Sequence, residues 1–130
     1  MKKTPLLNIK LSKLIASLGH GESLVIGDAG LPVPPNVPLI DLALTRGIPG
    51  FMAVLKVVLS EMCVENYVLS DELLLHNFEV SQQIRSLEIP NEKSTSHDNF
   101  KRMTHNTKAL IRTGEFTPYT NIILFSGVVF

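Results

Sequence analysis

This chain of 130 residues has very little cysteine, no tryptophan and no net charge. The chain has one cysteine and no tryptophan, and its 12 basic and 12 acidic residues cancel. A single cysteine excludes an internal disulfide and fits a reducing cytoplasm, where we expect the protein to act. Cys63 lies between Met62 and Val64 and is expected to be a buried thiol rather than a nucleophile. With no net charge and no block of like charges, neither nucleic acid nor an anionic membrane is an expected partner.

Long hydrophobic runs are absent as well. The longest apolar stretch, around residues 51–59, is interrupted by Lys56 and is shorter than the ~20 residues of a membrane span. Yet 45% of the residues are hydrophobic, only 18% are charged, and the mean hydropathy is +0.22. We expect residues 1–130 to form one domain. The apolar excess then indicates contacts between identical subunits, because obligate interfaces resemble a core cut in half.

Short apolar strands alternate with amphipathic helices along the sequence. Apolar spacing predicts strands near residues 24–27, 39–43, 67–69, 109–111 and 122–125, and helices near residues 9–18, 51–62, 78–87 and 97–103. Asn8, Ser70 and Ser96 are suited to begin helices, and Gly19 to end the first one. The polar residues 88–95 are predicted to lack regular structure. This alternation indicates one α/β domain with a sheet covered on both faces.

Motifs for metals and nucleotides are missing. The four histidines are His20, His76, His97 and His105, and they lie on separate predicted elements without the spacing of metal ligands. Neither GxxxxGK[ST] nor a GxGxxG that follows a strand is present. We therefore expect no metal and no nucleotide cofactor.

Polar residues lie where a buried strand ends. Residues 24–27 lead into Asp28 and a Gly-Leu-Pro turn, and His20 stands just before the strand. Ligands of open α/β sheets bind outside the carboxyl ends of strands, so we expect His20 and Asp28 to serve a site there. The other half of that site is expected in residues 113–121.

The combination of residue types indicates the ligand. Five polar residues are candidates for this site, and each of them taken alone fits an ordinary structural role in a turn, a cap or the core. They are His20, Asp28, His97, Tyr119 and Asn121. Together they supply two imidazoles, one carboxylate and neutral polar groups without an arginine cluster. Such a set suits an uncharged, polyhydroxylated ligand better than a phosphate or a carboxylate.

Several segments spread over the chain match a known family. They are Leu18-Gly19-His20, residues 25–34, residues 40–44 with 47–49, Ser96-His97 with Phe100-Lys101, and residues 111–124. On these segments, over essentially all 130 residues, the chain resembles the ribose pyranase and fucose mutarotase family, in its D-ribose pyranase form. That resemblance implies an isomerase that interconverts the pyranose and furanose rings of D-ribose without a cofactor.

The resemblance also implies a fold, an assembly and a site. The fold would be a three-layer α/β/α sandwich with a central mixed sheet, assembled as a decamer of two stacked pentamers with sites between neighbouring subunits. His20 would be the catalytic proton donor. The sugar would contact Asp28, His97 and Tyr119-Thr120-Asn121, with Lys101 a weaker candidate. Two alternative roles are open for Asp28, which would either orient His20 or bind a sugar hydroxyl.

Two departures keep other functions open. Gly21-Glu22 is more similar to L-fucose mutarotases, whereas residues 28–32 match the pyranase form. Residues 88–95 are shorter than in many relatives, so a peripheral strand is expected to be missing or altered. The alternatives are an L-fucose-type mutarotase and a non-catalytic ribose-binding accessory protein of a transporter.

Overall fold

Six strands form one mixed sheet with five α-helices around it. A computed structural model of the chain describes all 130 residues. The strands are β1 (Ser23–Gly27), β2 (Leu39–Asp41), β3 (Val64–Ser70), β4 (Glu92–Thr95), β5 (Leu110–Arg112) and β6 (Ile122–Ser126). The helices are α1 (Ile9–Ser17), α2 (Phe51–Leu59), α3 (Asp71–His76), α4 (Phe78–Arg85) and α5 (His97–Met103), and a 3-10 turn follows at Thr104–Asn106.

One antiparallel strand lies inside an otherwise parallel sheet. The strand order is β2-β5-β1-β6-β3-β4, and only β6 runs against its two neighbours. The carboxyl ends of β1–β5 and the amino end of β6 therefore share one edge, which we call the carboxyl edge. The other ends of the same strands form the amino edge. This topology determines which loops can meet.

Alternating strand residues build two cores of different size. The larger core joins one face of the sheet to α1–α4, and its strand residues include Leu24, Ile26, Leu69, Ile111, Ile122 and Leu124. The smaller core lies on the other face and consists of Val25, Leu31, Val37, Val68, Phe100, Leu110 and Ile123. Helix α5 and the proline-rich loop of residues 31–38 supply the cover on that face. The predicted α/β/α layering and mixed sheet are confirmed.

The predicted helix starts are confirmed, but the end of α1 is not where it was expected. The side chains of Asn8, Ser70 and Ser96 accept backbone N–H bonds at 3.0, 3.2 and 3.2 Å. Helix α1 ends at Ser17, because Leu18 already has extended backbone angles (φ −72°, ψ 125°). Gly19 follows the C-cap residue but lacks the left-handed φ of a glycine cap, so it does not end the helix in the expected way.

Residues 88–95 are not without regular structure, and no peripheral strand is missing. Residues 92–95 form β4, which pairs in parallel with β3 at the end of the sheet. Glu92 joins it to the core, since Glu92 Oε1 accepts bonds from Tyr67 at 2.8 Å and from Arg85 at 2.9 Å. Exposed polar side chains are typical of an edge strand, which explains why composition alone suggested a loop.

The prediction of a buried Cys63 is wrong. Met62 turns into the core and is 6% exposed, while Cys63 is exposed between α2 and β3. Its thiol contacts the Val128 carbonyl at 3.4 Å. None of the helices combines the length and apolarity needed to span a bilayer.

Candidate functional site

Asp28 follows β1 at the carboxyl edge, and its carboxylate is held by two amides. The Gly30 N–H donates to Oδ1 at 2.9 Å, and Asn121 Nδ2 donates to Oδ2 at 3.0 Å. Asn121 Oδ1 accepts the Asp28 N–H at 2.7 Å. Asn121 is 1% exposed, so its amide serves Asp28 before it can serve a ligand. Gly27 leaves room for this contact, because an added Cβ would lie 3.1 Å from Asn121 Oδ1.

Tyr119 adopts an unusual backbone conformation beside two imidazoles. Its φ of 62° lies in the left-handed region, which is rare for a bulky residue and costs roughly 1–3 kcal/mol. His97 meets the tyrosine ring edge-on at 5.1 Å, and His76 stacks on it at 6.0 Å between centroids. The Asn77 amide donates to the Pro118 carbonyl. The corner between α3 and α4 therefore helps to hold this segment.

Two buried polar atoms near Tyr119 have no hydrogen-bond partner within the chain. They are Nδ1 of His97 and Oγ1 of Thr120. The backbone N–H of His97 donates to Glu72 at 2.7 Å, which fixes the start of α5. Thr120 lines a second cavity with Phe51 and Thr117, and Asp28 is not part of its lining. His97 and Tyr119 thus belong to one cluster, whereas Thr120 belongs to the lining of this second cavity.

A cavity of about 390 Å³ opens beside Asp28. It is lined by Asp28, Ala29, Gly30, Glu115, Phe116 and Pro118. Its size lies in the range of small-molecule sites. Its lining contains carboxylates but no basic side chain, which fits an uncharged polar ligand.

Glu115 shapes the wall of this cavity. Its carboxylate accepts bonds from the backbone N–H groups of Phe51, Phe116 and Thr117 and from the Thr117 hydroxyl, at 2.8–3.3 Å. Burial acts to raise the pKa of Glu115, but these bonds outweigh it and hold that pKa below its ordinary value. Glu115 is therefore an ionised support for its loop.

His20 lies at the amino edge, not beside Asp28 of the same chain. The neighbouring Gly21 N–H donates to Ser126 O at the far end of β6, and the five residues of β1 separate His20 from Asp28. At about 3.3 Å per residue, β1 alone spans about 13 Å. The physical reason is simple, because a residue that precedes a strand cannot lie at its carboxyl end. Within one chain, His20 Nε2 instead bonds Glu65 Oε2 at 2.7 Å.

Lys101, the weaker candidate, does not line the Asp28 cavity. Its ammonium pairs with Asp98 on α5 at 3.1 Å and lowers the pKa of that carboxyl. No three His, Cys, Asp or Glu side chains are grouped closely enough to hold a metal ion, and independence of cofactors stays a prediction.

Sequence reasoning missed Glu65, His76 and Glu115. Only Glu115 had a signal, a lone carboxylate in the turn between two strands. The other two residues come near the site residues through the fold, without any pattern in the sequence.

Similarity to known proteins extends over the whole chain. A sequence profile of the RbsD / FucU transport protein family matches residues 1–129. Two proteins described as D-ribose pyranase, from Pseudomonas fluorescens SBW25 and Pseudomonas entomophila L48, are 55% and 58% identical to it over 134 aligned positions. Both alignments cover 100% of each chain.

Solved structures are similar to this chain over its whole length as well. The structure of Bacillus subtilis RbsD complexed with D-ribose shares 45% identity, covers 100% of both chains and superposes with a TM-score of 0.96. The fucose mutarotase from Streptococcus pneumoniae in complex with L-fucose shares 22% identity with a TM-score of 0.80, which supports the fold alone. The chain belongs to the RbsD / FucU transport protein family.

Proposed function

We propose that this chain is an isomerase that interconverts the pyranose and furanose forms of D-ribose. The observation that carries the proposal is the match, over the full length, to a relative complexed with D-ribose at 45% identity and a TM-score of 0.96. Relatives described as D-ribose pyranase at 52–58% identity agree with it. The cavity beside Asp28, which lacks a basic side chain, suits a neutral sugar.

The reaction needs only proton transfer. Ring opening breaks the bond between the anomeric carbon and the ring oxygen, which takes the electron pair and a proton. The anomeric hydroxyl loses its proton to water and becomes the aldehyde oxygen. Closure then forms a bond from the 4-hydroxyl to the same carbon, the 4-hydroxyl releases its proton to the acid/base group, and the aldehyde oxygen regains a proton from water. A positioned acid/base group typically accelerates such steps by about 10²–10⁴-fold.

The roles are divided between two neighbouring subunits. His20 of one subunit donates the proton to the ring oxygen, since imidazole titrates near neutral pH. Asp28 and His97 of the neighbour bind sugar hydroxyls. The segment Tyr119-Thr120-Asn121 contacts the sugar, and Asn121 also keeps the Asp28 carboxylate in place. The length of β1 supports this division, because a monosaccharide cannot bridge from Asp28 to His20 of the same chain.

The assembly is a ring-shaped oligomer, a decamer of two stacked pentamers. Exposed apolar side chains around the carboxyl edge support a subunit contact there, namely Leu44, Ile48, Leu75, Phe78 and Phe116, each 55–81% exposed. Sedimentation velocity at micromolar concentration is expected to show a large oligomer. A species near the chain mass of 14.4 kDa would contradict both the assembly and the shared site.

The activity test is exchange NMR on D-ribose and L-fucose. The isomerase is expected to transfer magnetisation between ribose pyranose and furanose signals far faster than buffer does. Faster exchange between fucose anomers, with ribose unchanged, would favour a mutarotase. Binding of ribose without faster exchange would favour a transporter accessory protein.

The enzyme acts in the cytoplasm and without a cofactor. Exhaustive treatment with a chelator is expected to leave ribose exchange unchanged, because proton transfer by side chains suffices. Loss of exchange that a divalent ion restores would refute this part of the proposal.

A further inference from the structure

His20 has a carboxylate partner at the amino edge that no sequence pattern suggested. Nε2 of His20 lies 2.7 Å from Oε2 of Glu65, a short hydrogen bond. The two side chains are 60% and 39% exposed. An ion pair this exposed within its own chain contributes little to the folding of that chain, so folding of the single chain does not explain this contact.

The backbone of β3 is irregular at Glu65. In the pairing of β3 with β6, Val64 faces Ser126 and Asn66 faces Phe125, so Glu65 is one extra residue, a β-bulge. Bulges redirect a side chain and occur often beside active sites. The bulge therefore determines where the Glu65 carboxylate points.

Two contacts hold the bulge in place. Asn91, itself in a left-handed conformation with φ 56°, donates from Nδ2 to the Glu65 carbonyl at 2.8 Å. Gly127 packs so closely that an added Cβ would lie 3.1 Å from Glu65 Cβ and 3.4 Å from its nitrogen. Separate parts of the chain thus fix the backbone and the Cβ from which the Glu65 carboxylate reaches His20.

We propose that Glu65 is a positioning residue that fixes the tautomer and orientation of the His20 ring. An ionised carboxylate only accepts hydrogen bonds, so the bonded Nε2 must carry hydrogen. In neutral His20 this leaves Nδ1 as the basic nitrogen, and in the imidazolium Nδ1–H becomes the acid. The inference rests on the proposed function, in which His20 passes a proton to the sugar.

Every proton that His20 transfers then passes through one atom, Nδ1. Nδ1–H gives its proton to the ring oxygen as the bond to the anomeric carbon breaks. Nδ1 takes a proton back when the 4-hydroxyl closes the new ring. Glu65 keeps its hydrogen bond to Nε2–H throughout and does not itself transfer a proton. Asp28, which sequence reasoning considered as a partner of His20, is free to bind the sugar.

The test compares Glu65→Gln with Glu88→Gln and His20→Ala. Glu88 is exposed and takes no part in the contact between His20 and Glu65, so it is the matched control. Nitrogen-15 NMR of the histidine rings, above the ordinary titration range of imidazole, reports the tautomer of His20. Exchange NMR on D-ribose reports the rate, and thermal unfolding reports the fold.

The expected result separates positioning from a structural role. In Glu65→Gln, His20 should change from the Nε2–H form to a mixture of tautomers, because an amide both donates and accepts. Exchange should slow by about tenfold, part of the ~10²–10⁴ that an acid supplies. The melting temperature should stay within about 4 °C, because the pair is exposed. Glu88→Gln should match the parent in every readout.

Two outcomes would overturn the inference in different ways. If Glu65→Gln keeps one tautomer and a rate within about twofold of the parent while His20→Ala is slow, Glu65 does not position His20 and the proposed function stands. If His20→Ala exchanges ribose as fast as the parent, the proposed role of His20 fails and the inference fails with it.

Discussion

Replacing Asn121 with Asp tests the contact that holds the Asp28 carboxylate. Asn121 is 1% exposed, and its Nδ2 donates to Asp28 Oδ2 at 3.0 Å. In Asn121→Asp this donor becomes an oxygen that faces the Asp28 carboxylate at a similar distance. Two carboxylates so close cannot both ionise without a large cost, so the pair is expected to bind a proton with a raised pKa.

The size and sign of the effect follow from linkage. If the pKa of the pair rises by about two units on folding, the difference corresponds to about 2.7 kcal/mol. A carboxyl whose folded-state pKa is raised binds protons more tightly in the folded state, so stability is lost as pH rises. Relative to the parent, Asn121→Asp is therefore expected to lose little stability near pH 4 and about 2–3 kcal/mol at pH 7.

Urea unfolding at a series of pH values measures this effect. Protein concentration must be constant, because an oligomer is stabilised by mass action. Asn106→Asp, at an exposed position outside the site, is the control and should follow the parent. If Asn121→Asp also follows the parent from pH 4 to 7.5, the Asn121 amide does not donate to Asp28, and the account of the Asp28 carboxylate is refuted.

Two further changes test the surroundings of the site. Gly114→Ala would place a Cβ 2.5 Å from the Thr45 carbonyl and should lower stability by about 1–3 kcal/mol, whereas Gly19→Ala, with its nearest contact at 3.8 Å, should not. Equal melting temperatures would contradict this packing. The Arg112 side chain lowers the pKa of Asp41 through a hydrogen bond. The stability that this pair contributes is therefore lost as pH falls and Asp41 is protonated. Arg112→Gln should therefore reduce the loss of stability below about pH 4, and an unchanged acid transition would contradict this.

The architecture could be predicted because local patterns determine it. Short apolar runs predicted the strands and apolar residues at helical spacing predicted the helices, and Asn8, Ser70 and Ser96 predicted helix starts that the structure contains. Strand β4 was missed because an exposed edge strand carries little hydrophobic signal. Its place depends on Glu92, which is joined to Tyr67 and Arg85 only after folding.

The candidate site could be predicted only in part. Asp28 was expected in a turn after a strand, and the structure places it there. Its contact with Asn121 joins residues 93 positions apart, which spacing cannot indicate. The same holds for Glu65, which reaches His20 through a bulge that no motif encodes. Closeness in sequence also gave a wrong prediction, that His20 and Asp28 of one chain share a site. The two residues flank β1 and so lie at opposite edges of the sheet.

In the proposed enzyme, each site takes His20 from one subunit and Asp28 from its neighbour. Coexpression of His20→Ala with Asp28→Asn, each of which is expected to be slow when expressed by itself, tests this arrangement by exchange NMR on D-ribose. Random mixing in a ring leaves about a quarter of such sites with both residues intact, so about a quarter of the parent rate is expected. If the mixed oligomers are as slow as each variant by itself, His20 and Asp28 do not meet across a subunit boundary, and the proposed division of the site between two subunits is wrong.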